Sequence, residues 1–202
     1  MKLEQFQWTA ARGWAPSLDQ AKLGANAQLV LLFGRGGLVV AHDVIALARR
    51  TFPRAQVIGC STGGEIHGAE VHDDTLSLTA IGFEHSRVTV ASAPIPGIDH
   101  SFDAGVALMR QLDPAGLRHV FVMSEGLLVN SSELVDGVNS VLAPGVTVSG
   151  GFAADGNNLR VTEVWCNGEP KKSAAVALGF YGERLDVGVA VTGAGGLSAR
   201  TG

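Results

Sequence analysis

Hydrophobic and polar positions change period several times along the chain, and each change predicts an element. Gln5 to Ala11 alternates weakly, as a half-buried strand does. Trp14 to Ala27 has no clear period, although Ser17 is placed to cap a short helix containing Asp19, Gln20 and Lys22. Leu29-Val30-Leu31-Leu32-Phe33 is continuously apolar and bounded by glycine, the pattern of a central strand covered on both faces. Gly34-Arg35-Gly36-Gly37 then leads into a helix from about Ala41 to Arg50, with Val44, Ile45, Leu47 and Ala48 apolar and Pro53 beyond its end. Ala55 to Ile58 is a second buried strand, and Glu65 to Asp74 reads as a polar loop. Thr75 to Phe83 and Arg87 to Ala93 are rich in β-formers and predict an antiparallel hairpin turning at Glu84-His85.

Helical spacing returns at Ser101 to Leu112, with Phe102, Val106 and Met109 on one face. Val120 to Met123 is another buried strand, and Asn130 or Ser131 caps a helix reaching Leu142 with Leu134, Val135, Val138 and Val141 apolar. Val146 to Ser149 is a strand ahead of Gly150-Gly151. From Leu159 onward, Leu159–Cys166, Ala174–Tyr181 and Leu185–Val191 read as consecutive antiparallel strands, turning at Asn167-Gly168 and Gly182-Glu183. The fold class is therefore α/β of the mixed α+β kind. A mixed sheet carries β-α-β units flanked by about three helices, with antiparallel strands in the middle and at the C-terminus. One domain spans 1–192, and the glycine-rich tail 193–202 reads as the start of a further segment.

Composition narrows the class. Of 202 residues 46% are hydrophobic and 17% charged, which suits a packed core. A net charge of −4 supplies no basic stripe for nucleic acid. Two cysteines rule against a disulfide scaffold and favour a reducing, cytoplasmic setting. The first residues have no apolar signal region, and no apolar run approaches the roughly 20 residues that span a membrane.

Candidate chemistry gathers at two glycine-rich stretches. Gly59-Cys60-Ser61-Thr62-Gly63-Gly64-Glu65 follows one buried strand, and Ser149-Gly150-Gly151 with Asp155, Asn157 and Asn158 follows another. Glycines let a backbone approach a bound group, and consecutive N–H groups in such turns make anion-binding concavities. Ser61, Thr62, Ser149, Asp155 and Asn157 supply hydroxyl, carboxylate and amide groups that suit a free amino acid. The plain alternatives are a ligand-free connection at Gly59 and a hairpin turn at Asp155 held by its own side-chain bonds. Gly59-Cys60-Ser61-Thr62-Gly63 also fits G-x-S-x-G, but a nucleophile elbow needs a helix straight after the serine and a polar loop follows here. Cys60 reads as small buried packing, not as a thiol nucleophile. Gly34-Arg35-Gly36-Gly37 falls short of a dinucleotide turn because Val39 stands where the third glycine belongs; its Arg35 has the reach to take a carboxylate bidentately, with a solvated loop residue as the plainer reading. His67 and His72 match no zinc spacing.

Three stretches in order resemble the N-terminal FIST domain: Val57 to Ile66, Ser124-Glu125-Gly126-Leu127 with Asn130 and its helix, and Gly150 to Gly156 running on to Asn167-Gly168. The resemblance covers roughly Leu29 to Val191, with a trimmed region from Trp14 to Asn26 and Glu125 where the family more often has Asp. It implies a non-catalytic sensory module, found in bacterial signalling proteins and in F-box proteins. Such a module binds an amino acid or related metabolite and acts through a C-terminal FIST domain or a partner such as a histidine kinase or cyclase. Two alternatives come with it: a haem-binding nitric-oxide sensor, with His67 or His72 as axial ligand, and a protein-interaction scaffold.

Overall fold

Alternation along the apolar strands decides the layering. In the computed structural model, Val30, Leu32 and Val57 face one hydrophobic cluster while Leu29, Leu31, Phe33, Ile58 and Cys60 face another. Both faces of this sheet are therefore covered, as the unbroken apolar runs require. Residues 1–156, 158–193 and 196–200 are described, with side chains through residue 188.

The chain opens with β1 (Lys2–Thr9) and the short β2 (Gly13–Ala15), which pair as a hairpin. Ser17 accepts from the Asp19 amide and caps one 3-10 turn, Leu18–Gln20; no longer helix forms there. β3 (Leu29–Gly34) is followed by α1 (Gly36–Ala41) and α2 (Val44–Thr51), and then by β4 (Gln56–Cys60), parallel to β3. The expected single helix starts earlier and is broken, because Asp43 sits in the left-handed region at φ 47°. The loop expected after Glu65 is instead a hairpin of β5 (Glu65–His67) and β6 (Glu70–His72), turning at Gly68.

β7 (Leu76–Gly82) and β8 (Arg87–Pro94) do not form the expected hairpin. β7 inserts between β1 and β3, whereas β8 pairs along its whole length with a later strand. Period-two patterning names a strand but not its partner, and here the short link steps from one sheet to the other. α3 (Ser101–Arg110) and α4 (Ser131–Asn139) flank β9 (Leu117–Ser124), and β10 (Thr147–Phe152) runs parallel to β9. Asn130 caps α4 by accepting from the Glu133 amide, as its type and position predict. α4 ends before Leu142, and the buried side of α3 is Ala104, Leu108 and Met109, with Phe102 exposed.

β11 (Val164–Cys166), β12 (Ala174–Tyr181) and β13 (Val189–Gly193) are not a meander. β11 closes the first sheet against β4, β12 lies between β9 and β8, and β13 pairs with β14 (Gly196–Arg200) inside the tail where no element was expected. The two main sheets read β11-β4-β3-β7-β1-β2 and β10-β9-β12-β8. They pack face to face through Ile58, Cys60, Met123, Val176 and Leu178. The first sheet's outer face is covered by α1, α2 and Phe52, the second's by α3 and α4. The result is a four-layer mixed α/β fold, helices outside and two sheets within.

Trp165 explains one glycine. Its indole is fully buried and donates to the Leu32 carbonyl at 3.1 Å, crossing β4 at Gly59. A Cβ at Gly59 would lie 1.7 Å from the Leu32 carbonyl oxygen and 2.5 Å from the indole nitrogen. Gly59 lets backbone and indole meet there.

Candidate functional site

Parallel strands β3 and β4 end side by side, and open α/β sheets bind ligands beyond the carboxyl ends of such strands. Here the chain leaves β3 at Arg35-Gly36-Gly37 and β4 at Ser61-Thr62, and the loop after β10 returns over both with Ala154 and Asp155. These segments enclose a cleft of about 310 Å³, completed by Asn158, Arg160 and Glu163. A second cavity of about 370 Å³ adjoins it through Arg35, Thr62, Asp155 and Asn158, and is bordered by Gly63, Asp73 and Asp74.

Ser61 is buried and fully engaged. Its amide donates to the Glu163 carbonyl at 2.8 Å, its hydroxyl accepts from the Glu163 amide at 2.9 Å, and its carbonyl accepts from Ala154 at 2.8 Å. It staples the two glycine-rich stretches together and sets the position of Glu163. Asp155 does the equivalent work on the other side. Its carboxylate accepts from the amides of Leu159, Arg160 and Val161 at 2.8 to 3.0 Å, which holds its pKa below the usual carboxylate range, most of all through Val161 and Arg160. Most of its lone pairs go to its own loop, as the turn reading of Asp155 anticipated.

Glu65 is buried too. It accepts from the Thr62 hydroxyl at 2.6 Å, the Thr75 amide at 3.0 Å and the Thr75 hydroxyl at 2.7 Å, tying the β4 exit to the start of β7. Cys60 faces the space between the sheets, and burial pushes its thiol up to about 12, which leaves no reactive thiolate. Gly63 lies against the Gly156 backbone, and Gly64 beside Asp73.

The second stretch divides. Gly150 and Gly151 are not a turn but the second half of β10, paired with Val122 and Met123. With Ser149 they border a different cavity, beside α4. The Ser149 hydroxyl meets His119 Nε2 at 2.8 Å, away from the cleft. Asn157 lies outside the described residues.

The cleft also holds Arg160 and Glu163, which the sequence pattern does not mark. Among the described residues, the Arg160 guanidinium and the Glu163 carboxylate have no hydrogen-bonding partner, and both line the same cavity. Arg35 spends one nitrogen on exposed Asp74 at 2.7 Å, a pair worth little by itself, and keeps its other donors. Arg160 and Glu163 lie four and seven residues beyond Gly156 in the loop between β10 and β11, past the glycine that marks the stretch. The signal available was that Ser61 and Asp155 have short reach and need neighbours to present the charge.

His67 and His72, the axial ligands of the haem alternative, lie on the β5–β6 hairpin. They share one face of that hairpin, His67 Nδ1 is enclosed without a partner among the described residues, and His72 Nε2 lies 3.3 Å from Glu70. Neither ring borders any of the principal cavities, and the cavity nearest the hairpin is lined by carboxylates and an arginine, where haem needs an apolar sleeve.

Residues 28–195 match the FIST N domain, which is most of the chain. The chain belongs to the FIST family. FIST N domains are a sensory family, generally non-catalytic, and the match spans every segment of the cleft and both sheets apart from β1 and β2. Comparison with curated proteins gives no match. No helix among the described residues of this FIST domain is long and apolar enough to cross a membrane.

Proposed function

We propose that this FIST N domain is a non-catalytic sensor that binds a small zwitterion, a free amino acid or close relative, in the cleft beyond β3 and β4. One observation carries the reading: the Arg160 guanidinium and the Glu163 carboxylate, both without a hydrogen-bonding partner among the described residues, line one 310 Å³ cavity, and their backbone amides are held by Asp155 and Ser61. A planar guanidinium takes a carboxylate through two parallel bonds, and a carboxylate takes an ammonium group. Asp155 and Ser61 hold the backbone at Arg160 and Glu163, so the segment that carries both charges is set before the ligand arrives. Preorganisation of that kind lowers the cost of binding. The cavity is at the small end of ligand sites, which suits a molecule of amino-acid size. Occupancy is read by a partner, a C-terminal FIST domain or an output such as a histidine kinase or cyclase, through different affinities for two conformers. Two free cysteines suit a cytoplasmic setting.

The test is a thermal-shift screen of the twenty amino acids, followed by calorimetry on variants. At a hundredfold excess over Kd a ligand adds about 2.7 kcal/mol, which for a domain of this size is roughly 5–10 °C. Arg160→Ala and Glu163→Gln should each weaken the responding amino acid at least about tenfold, the loss expected for one charge-assisted pair. No response to any amino acid, or a responder indifferent to both substitutions, refutes the assignment.

A further inference from the structure

α3 and α4 cross at two glycines. A Cβ at Gly105 would fall 2.4 Å from the Leu134 carbonyl oxygen, and one at Gly137 would fall 2.1 Å from that of Phe102. So close a crossing needs glycine on both helices. It draws α4 toward α3 and leaves the edge strand β10 partly uncovered. β10 deepens the gap, since Gly150, which stands opposite Val122, contributes no side chain. A Cβ there would strike the Val122 carbonyl oxygen at 1.9 Å, so the position is held to glycine.

The hollow has a volume of about 380 Å³, with walls of Val122, Leu134, Val138 and Val148 and with Val135 and Phe152 at the exposed side. At its floor lies Ser124, which is 1% exposed and whose hydroxyl has no hydrogen-bonding partner among the described residues. It lies on the face of β9 that carries Val120 and Val122, opposite Phe152 in register. An apolar cavity of roughly 150 Å³ is enough to hold benzene, so this one has room for an unbranched chain of several carbons. A buried hydroxyl without a partner is costly and normally finds one.

We propose that the hollow between β10 and α4 is a second binding site, taking a small uncharged apolar molecule with one oxygen that hydrogen-bonds to Ser124. The Ser124 hydroxyl donates to a ketone or accepts from an alcohol, the alkyl part lies along Val138 and Val148, and no charged side chain lines the walls to favour an ion. The site is independent of the Arg160–Glu163 cleft, and the two fail separately.

The test is amide-resolved NMR titration of the whole chain with 2-heptanone, 1-heptanol and heptanoate. The two neutral probes should shift the amides of Ser124, Val138 and Gly150 with saturation, and heptanoate should bind at least about tenfold more weakly. Ser124→Ala should weaken the ketone and the alcohol by about fivefold, the worth of one neutral hydrogen bond. Val135→Trp, at a half-exposed wall position where misfolding is not at stake, should abolish binding by filling the mouth. No saturable shift, shifts confined to the charged cleft, equal affinity for heptanoate, or a Ser124→Ala variant that binds as well as the parent would each overturn the proposal.

Discussion

Glu65 closes the β4 exit, and replacing it with alanine separates support of the site from contact with a ligand. The carboxylate takes three hydrogen bonds, one from Thr62 and two from Thr75, and it is 3% exposed. Both threonine hydroxyls can rotate toward other acceptors, but the Thr75 amide cannot, and Thr75 is itself buried. An orphaned buried amide costs about 1–3 kcal/mol, and each lost bond to a carboxylate nets about 1.5–3 kcal/mol before such rotation recovers part of it. Glu65→Ala should therefore lose about 3–5 kcal/mol. In a domain of this size each kcal/mol moves Tm by about 2–4 °C, so the midpoint should fall by roughly 10 °C. Glu65→Gln keeps an oxygen for Thr75 and offers Thr62 an amide, and should lose only about 1 kcal/mol. Urea unfolding of the three proteins at neutral pH measures both steps. An alanine variant as stable as the parent would show that Glu65 does not brace the loop, and one that also loses ligand binding would place Glu65 against the ligand.

Gly59→Ala should be among the most damaging single-methyl changes, because the new Cβ meets backbone and indole that cannot both move; a loss of at least about 2 kcal/mol is expected in denaturant unfolding. A variant within about 0.5 kcal/mol of the parent would show that Trp165 relaxes freely. His119 is buried between Thr147 at 2.7 Å and Ser149 at 2.8 Å, and burial holds its pKa below the ordinary value of about 6.5. The unfolded chain therefore takes up this proton first, so stability falls as pH drops below about 6.5 and continues to fall until the folded-state value is passed. His119→Gln should flatten the stability profile between pH 7 and 5, and an unchanged slope would assign the dependence elsewhere.

By itself the sequence determined the strands β3, β4, β9 and β12, the two amphipathic helices behind the second sheet, and the cap at Asn130. These are local matters, since unbroken apolar runs, helical spacing and a capping amide act within a few residues. It also brought out the two stretches that meet at the cleft, because Ser61 and Asp155 carry recognisable turn chemistry. Only the tertiary structure decided the pairing. β7 and β8 look like one hairpin and lie in different sheets; Gly150-Gly151 looks like a turn and is strand. Strand pattern is nearly indifferent to which edge it joins, and that choice falls to packing between Trp165, Gly59 and the two-sided core. The same holds for the charges. Arg160 and Glu163 look like ordinary loop residues, and come to line one cavity only when Asp155 and Ser61, far apart in the chain, hold their backbone amides.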